Sequence, residues 1–248
     1  MKLETDETII NYIRGAIKDS KNIVAVIGIE MLVEGGGYDL DSNEETYRAE
    51  TLYGYTPEDM LSASFFNAKI ERFYRFYKNE ILTMDIKSTP SYESLMKLQE
   101  RGKLLGVINQ NYHGIPVGVH FKNVVELNGN INSNKCIRCG KRFGLDYMRN
   151  APGIPVCDHC QAAIRPNIRL IGERVNSNVM TAAVNMCEAA DVLLILGKNM
   201  YNDRLEYSVD PKQKQLKILF SKEETLNDRK VDFVIRDDIR SFLPTVID

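Results

Sequence analysis

Four of the chain's five cysteines stand in two Cys-x-x-Cys pairs, Cys136/Cys139 and Cys157/Cys160, with seventeen residues between the pairs. Two thiolate pairs at that separation, each on its own tight turn, can close a tetrahedral sulfur cage around Zn²⁺. A cage of four protein ligands leaves no open position for water or substrate, so such an ion holds shape rather than doing chemistry. Two disulfides or four free thiols are the alternatives, and nothing in the chain points to an oxidising compartment. Lys135, Arg138, Lys141 and Arg142 crowd the first pair, where they either offset the charge of four thiolates or form a plain solvated basic face. The fifth cysteine, Cys187, lies among apolar neighbours at helical spacing in AVNMCEAADV and reads as core.

A zinc ribbon of this size needs a host. The 248 residues suffice for one large α/β domain or two smaller ones. A formal net charge of −2 supplies no global basic field for nucleic acid or an anionic membrane, so neither is expected as a partner. The opening MKLETDETII is acidic where a secretory signal is basic, and no apolar run approaches the roughly 20 residues that span a bilayer. The expectation is a cytoplasmic protein.

The elements that must carry the cysteines are legible from periodicity. Ile9, Ile10, Ile13, Ala16 and Ile17 recur at helical spacing, which predicts an amphipathic helix near 5–19. IVAVI (23–27) follows, a short β-branched apolar run of the kind that is buried on both faces in a parallel sheet. The same grammar returns in LLGVI (104–108), NVVEL (123–127), NIRLI (167–171), VLLIL (192–196), LKILF (216–220) and VDFVI (231–235). A helix is predicted over 89–101, with Thr89 as cap, Pro90 in the first turn and Gly102 as terminator. Alternation of this kind predicts a doubly wound α/β sheet. Two stretches interrupt it. Residues 42–88 carry aromatic residues at helical intervals and predict an inserted helical module packing through Phe66, Ile70, Phe73, Tyr74 and Tyr77. The cysteine segment is the second, and both leave the sheet at strand C-terminal ends, where open α/β folds keep their ligand crevice.

Several segments, taken in order, resemble the sirtuins, the NAD-dependent protein deacylases, along nearly the whole chain. They are GIEMLVEGGGYD after the first strand, NQNYHG, VVELNG, the cysteine pairs, IRPNIRLIGE, ADVLLILGKN and the terminal KILFSKEETLNDRKVDFVIRDDIRSFLP. The resemblance implies a Rossmann-like doubly wound parallel sheet with a smaller domain made of a zinc ribbon and a helical module. On that reading residues 1–41, 103–130 and 166–248 form the NAD-binding domain, 42–102 the helical module and 131–165 the ribbon. It implies NAD or ADP-ribose as ligand, one structural Zn²⁺ on Cys136, Cys139, Cys157 and Cys160, and a protein substrate or partner. Cofactor contacts would come from Gly28, Glu30, Asp39, Gln110, Asn111, Gly197, Lys198, Asn199 and Ser221.

The departures from the family fall where the chemistry is. The family's GAGIS loop is here Gly28, Ile29, Glu30, Met31, Leu32, so a carboxylate stands where small residues admit the pyrophosphate. Facing a phosphate from about 5 Å at an effective dielectric near 20, it would cost about 3 kcal/mol, a hundredfold in affinity. The family's GTS loop is Gly197, Lys198, Asn199, and Lys198 either pairs with Glu30, contacts phosphate, or faces solvent alongside it. The general-base histidine of the family's LHG is Asn128, which has no titratable proton near neutrality. Gln110 and Asn111 retain the ribose-contacting pair, so cleavage with ADP-ribose transfer could outlast deacylation, as in the macrodomain-associated sirtuins. The aspartate after QN is His113, a substitute base or a plain hydrogen-bonding residue. PDFR leaves Asp39 and Asp41 without its arginine. Three functions compete: an altered NAD-consuming transferase, a catalytically inactive sirtuin-like binding module, and a zinc-ribbon nucleic-acid binder.

Overall fold

The computed structural model describes residues 7–198, 215–224 and 226–247. In chain order the elements begin with α1 (Glu7–Asp19), β1 (Ile23–Ile27), α2 (Ile29–Glu34), α3 (Asn43–Tyr53), α4 (Pro57–Met60), α5 (Ala63–Ala68) and α6 (Ile70–Phe76). A π-turn over Tyr77–Ile81 leads to α7 (Pro90–Glu100), β2 (Leu104–Asn109), β3 (Val124–Glu126), β4 (Gly129–Cys136), β5 (Arg142–Phe143) and α8 (Leu145–Asn150). Then come β6 (Ile164–Ile168), α9 (Ser177–Glu188), β7 (Val192–Leu196), β8 (Leu216–Phe220), a 3₁₀ turn, β9 (Phe233–Ile235) and α10 (Ile239–Ile247). None of the helices among the described residues is long and apolar enough to cross a membrane.

Six strands make one sheet in the order β3-β2-β1-β7-β8-β9, every pairing parallel. That is the doubly wound order, with the chain reversing its direction of travel between β1 and β7. β1 is buried along its whole length, which is why it reads as an unbroken apolar run. Ile23, Ala25 and Ile27 face a layer built from α1, α7 and α10, while Val24 and Val26 face Ala183 and Cys187 of α9. Cys187 is 1% exposed, and burial pushes its thiol up to about 12, so it is inert packing.

A second sheet of three strands, β5-β4-β6, is antiparallel. It accounts for one correction. NIRLI does not extend the main sheet, because its first residues belong to β6 (Ile164–Ile168), which pairs with β4. A second correction concerns Thr89, whose side chain makes no capping bond although Pro90 does open α7. Through Tyr92, Leu95 and Leu98, α7 packs on the main-sheet core rather than on the aromatic helices. The aromatic face is buried as read, with Phe73 and Tyr77 at 0% exposure. It shares one core with the ribbon residues Phe143, Met148 and Ile164, and the Tyr74 hydroxyl donates to the Ile164 carbonyl. The two insertions thus form a single smaller domain.

Candidate active site and metal centre

The ribbon's two knuckles are copies of each other. Cys136 accepts at its carbonyl from Gly140 N–H (3.1 Å) and donates its own N–H to Lys141 O (2.9 Å). Cys157 likewise accepts from Gln161 N–H (2.9 Å) and donates to Ala162 O (2.8 Å). The residue after each pair, Gly140 or Gln161, is left-handed at φ +72 and +59. These turns bring the four sulfurs within 4.8 Å of one another, with Cys136 and Cys160 3.3 Å apart and Cys139 and Cys157 3.6 Å apart. No disulfide links them. Four sulfurs sharing one ion through bonds of about 2.3 Å would be separated by about 3.8 Å, so a cage of this size could hold zinc. Two backbone N–H groups, of Arg138 (3.4 Å) and Cys139 (3.5 Å), point at the Cys136 sulfur, and the latter contributes most to holding that thiol down to about 6. Lys141 pairs with Asp158 at 2.7 Å and ties one knuckle to the other.

The crevice lies at the C-terminal ends of β1, β7, β8 and β9, where the strand order reverses. Gly28 ends β1 and donates to Leu196 O (2.8 Å), and Ile29 N–H reaches Lys198 O (2.9 Å). A β-carbon on Gly28 would lie 2.5 Å from the Lys198 carbonyl, so only glycine allows the two loops to meet. The first turn of α2 then aims Glu30 across the gap. Its carboxylate accepts from Lys198 N–H (2.7 Å) and from Ser221 Oγ (2.9 Å). Gly197 (φ +101) passes so close that a β-carbon there would lie 1.9 Å from Glu30 Oε2. Burial raises the Glu30 pKa, against the lowering effect of the Ser221 and Lys198 bonds. The donors that the ends of β7 and β8 could offer an incoming anion are therefore already taken by the chain's own carboxylate.

Lys198 does not neutralise Glu30 with its ammonium, contrary to one reading of the sequence. The Nζ reaches Asp39 (3.0 Å) and Glu223 (2.9 Å), and only the backbone N–H meets Glu30. Burial opposes the charge, yet these two carboxylates carry the Lys198 pKa above its usual value. Behind this bridge a cavity of about 400 Å³ remains, with Phe220, Ile239 and Val33 among its walls. Tyr38, next to Asp39, is fixed by donating to the Glu80 carboxylate (2.8 Å), which Arg48 also grips at 2.5 Å. Asn199 lies outside the described residues.

Gln110 and Asn111 follow β2 and meet the end of β1 and Gly28. Gln110 N–H donates to Ile27 O (3.0 Å), and Asn111 Nδ2 donates to Gly28 O (2.8 Å). Asn128, 5% exposed, closes the group by donating its Nδ2 to Gln110 O (2.7 Å). Its Oδ1 accepts from Arg169 Nε at 2.7 Å, so the amide in the family's histidine position is held at both polar ends by its own chain. His113 turns to the smaller domain, its Nε2 meeting Ile81 O at 2.9 Å, and burial lowers its pKa. That bond ties His113 to the smaller domain and favours its reading as a plain hydrogen-bonding residue. Two residues missed in the sequence complete the site. Arg169 is one. Glu126 is the other, a carboxyl that burial pushes up to about 7 and that accepts from Asn109 Nδ2 (2.7 Å). The signal for Arg169 was a lone charge inside the apolar NIRLI.

A doubly wound sheet with a crevice at its switch point and a four-cysteine ribbon in a smaller domain defines a Sir2-type α/β protein. A family profile described as the Sir2 family matches residues 38–201, and the chain belongs to that family. It is 32% identical over 239 residues to an NAD-dependent protein deacetylase of Clostridium acetobutylicum, covering 96% of this chain and 98% of that one. It is 34% identical over 233 residues to an NAD-dependent protein deacetylase of Clostridium tetani, covering 94% of each. Its fold matches the structure of Sir2Tm bound to a propionylated peptide with a TM-score of 0.83 at 24% identity, covering 96% of both chains. A structure of Sir2 with a p53 peptide and NAD+ matches with the same score, identity and coverage.

Proposed function

We propose that this chain is a cytoplasmic Sir2-family protein that takes an NAD-type nucleotide, NAD or ADP-ribose, into the crevice, holds one structural zinc, and deacetylates lysine weakly or not at all. The observation that carries the second half is Asn128, whose two side-chain polar ends are committed to Gln110 and Arg169 at 2.7 Å. An amide so placed cannot accept a proton from a ribose hydroxyl, and general-base loss is worth roughly 10²–10⁴ in rate. A cavity of about 400 Å³ with Glu30, Asp39, Lys198 and Ser221 in its wall, four of the residues to which the resemblance gives cofactor contacts, supports the nucleotide half.

Calorimetric titration with NAD and ADP-ribose, followed by a nicotinamide-release assay and a peptide deacetylation assay, tests both halves. Binding with deacetylation at least a hundredfold below that of the clostridial relatives is expected. Deacetylation at the relatives' rate would sink the proposal. Glu30 favours a second reading, a catalytically inactive module whose crevice is closed by its own side chain. On that reading neither nucleotide gives heat with the native chain, and Glu30→Ala restores the signal.

A further inference from the structure

Two adjoining hollows of about 520 and 670 Å³ lie on the smaller domain, between α6 with the π-turn and the end of α8 with the loop that follows it. Both are lined by Lys78, Asn79 and Gly153, and neither shares a lining residue with the crevice. Lys78 thus stands where the two meet, on a π-turn, a helix form found disproportionately at functional sites. Its half-buried ammonium donates to the Ala151 carbonyl and pairs with no carboxylate among the described residues. The charged groups that share its walls are Glu71 and Arg75 from α6, Asp85 beyond the π-turn and Arg149 from α8. Tyr74, also in the wall, turns its hydroxyl to Ile164 O, and Asp85 is taken by Lys87. Arg149 donates Nε to the Leu82 carbonyl (2.8 Å), and its two terminal nitrogens have no partner among the described residues. An ammonium that has lost water and gained no counter-charge gives up its proton more readily than a solvated one, and burial lowers the Lys78 pKa accordingly. A free amine is a nucleophile.

We infer that Lys78 is a site of acylation by a small acyl phosphate, whose phosphate end is drawn by the open fork of Arg149. The planar guanidinium matches phosphate bidentately, and a hollow of about 670 Å³ admits a molecule of this size. In the step, the Nζ lone pair attacks the acyl carbon and a C–N bond forms. The bond from that carbon to the bridging phosphate oxygen breaks, and inorganic phosphate leaves with the electron pair. The amine proton passes to the departing phosphate or to water, so no oxidant or reductant is needed. The product is a neutral amide, so the charge-assisted tie from the π-turn to the loop at Ala151 is weakened. The inference stands apart from the nucleotide reading, since the step uses no cofactor and no crevice residue.

The test incubates the full chain, without NAD, with acetyl phosphate and in parallel with trace acetic anhydride, an uncharged acyl donor, and follows the initial rate at each lysine by mass spectrometry. Near neutral pH acetyl phosphate should acetylate Lys78 about tenfold faster than the exposed Lys18 and Lys122. Arg149→Gln should cut that rate about fivefold. It should leave the anhydride rate at Lys78, and both rates at Lys18 and Lys122, unchanged, which a misfolded variant would not do. Millimolar inorganic phosphate should slow Lys78 alone. From about pH 7 to about pH 9 an ordinary lysine gains about a hundredfold in free amine, and Lys78, whose proton leaves earlier, should gain less. Lys78 reacting no faster than Lys18 and Lys122 with either reagent would overturn the whole inference. A fast Lys78 that is indifferent to Arg149→Gln and to phosphate would overturn the acyl-phosphate assignment and leave a reactive amine only.

Discussion

The ribbon and the crevice are both loop clusters at strand ends, and they treat their polar groups in opposite ways. In the ribbon the four sulfurs face one another with no covalent link between them, so the arrangement is completed only by an ion. In the crevice Glu30 accepts from Lys198 N–H and Ser221 Oγ, while the Lys198 ammonium lies between Asp39 and Glu223. The donors are satisfied before any ligand arrives. A site left incomplete recruits its ligand at full strength. A self-completed one makes the ligand compete with an internal rival, and the affinity lost is the free energy of displacing it.

The ribbon side of that contrast carries the largest expected effect. Structural zinc in small domains is worth on the order of 10–16 kcal/mol, so chelation or Cys136→Ser with Cys157→Ser should lower Tm by roughly ten degrees or more. Elemental analysis should show zinc lost in step. An unmoved Tm in zinc-free protein would erase the distinction between the two sites.

Next is the base. Asn128→His made together with Arg169→Val, so that the imidazole is not pressed against a guanidinium, should raise acetyl-peptide turnover by about 10²-fold or more. A flat response would mean that the crevice, not the missing base, limits the chemistry.

Removing the internal rival ranks third. Glu30→Ala should tighten ADP-ribose binding by about a hundredfold, from the Coulomb cost of one carboxylate near phosphate. The sign of the pH dependence follows from burial, which raises the Glu30 pKa. The protonated acid does not repel phosphate, so affinity should be highest at low pH and fall as pH rises through that raised value. The same shift makes the fold lose a little stability as pH climbs from the ordinary carboxylate range through it. Calorimetry across pH, with Glu30→Gln as the flat control, checks both.

Lys198→Ala should do least. Because its ammonium is already spent on Asp39 and Glu223, ADP-ribose affinity should change by about threefold or less, within roughly 0.7 kcal/mol. A tenfold loss would show that the lysine leaves its carboxylates to grip phosphate.

Much of this was legible because local rules and tertiary need agreed. Buried parallel strands must be apolar throughout, so IVAVI, VLLIL and LKILF announced β1, β7 and β8, and Cys-x-x-Cys spacing announced the knuckles. NIRLI misled because periodicity reports burial and not which sheet supplies it, and β6 pairs with β4 in the smaller sheet. The Glu30 carboxylate read as a defect in the loop. Its partners Lys198 and Ser221 lie far along the chain and are brought within hydrogen-bond reach only by the parallel order β1-β7-β8. Arg169 was hidden for the same reason, since its bond to Asn128 spans 41 positions.

The shared core of the two insertions has a consequence for biosynthesis. Phe66, Phe73, Tyr74 and Tyr77 emerge from the ribosome long before Phe143, Met148 and Ile164, the residues that cover them. At 5–20 residues per second the wait is on the order of ten seconds, during which the part of the aromatic surface that the ribbon covers stays exposed. Because the ribbon that ends this exposure needs its ion to set, cellular zinc supply should govern how much nascent chain escapes aggregation. Soluble yield should therefore fall in zinc-starved cells even where the finished protein tolerates the same medium.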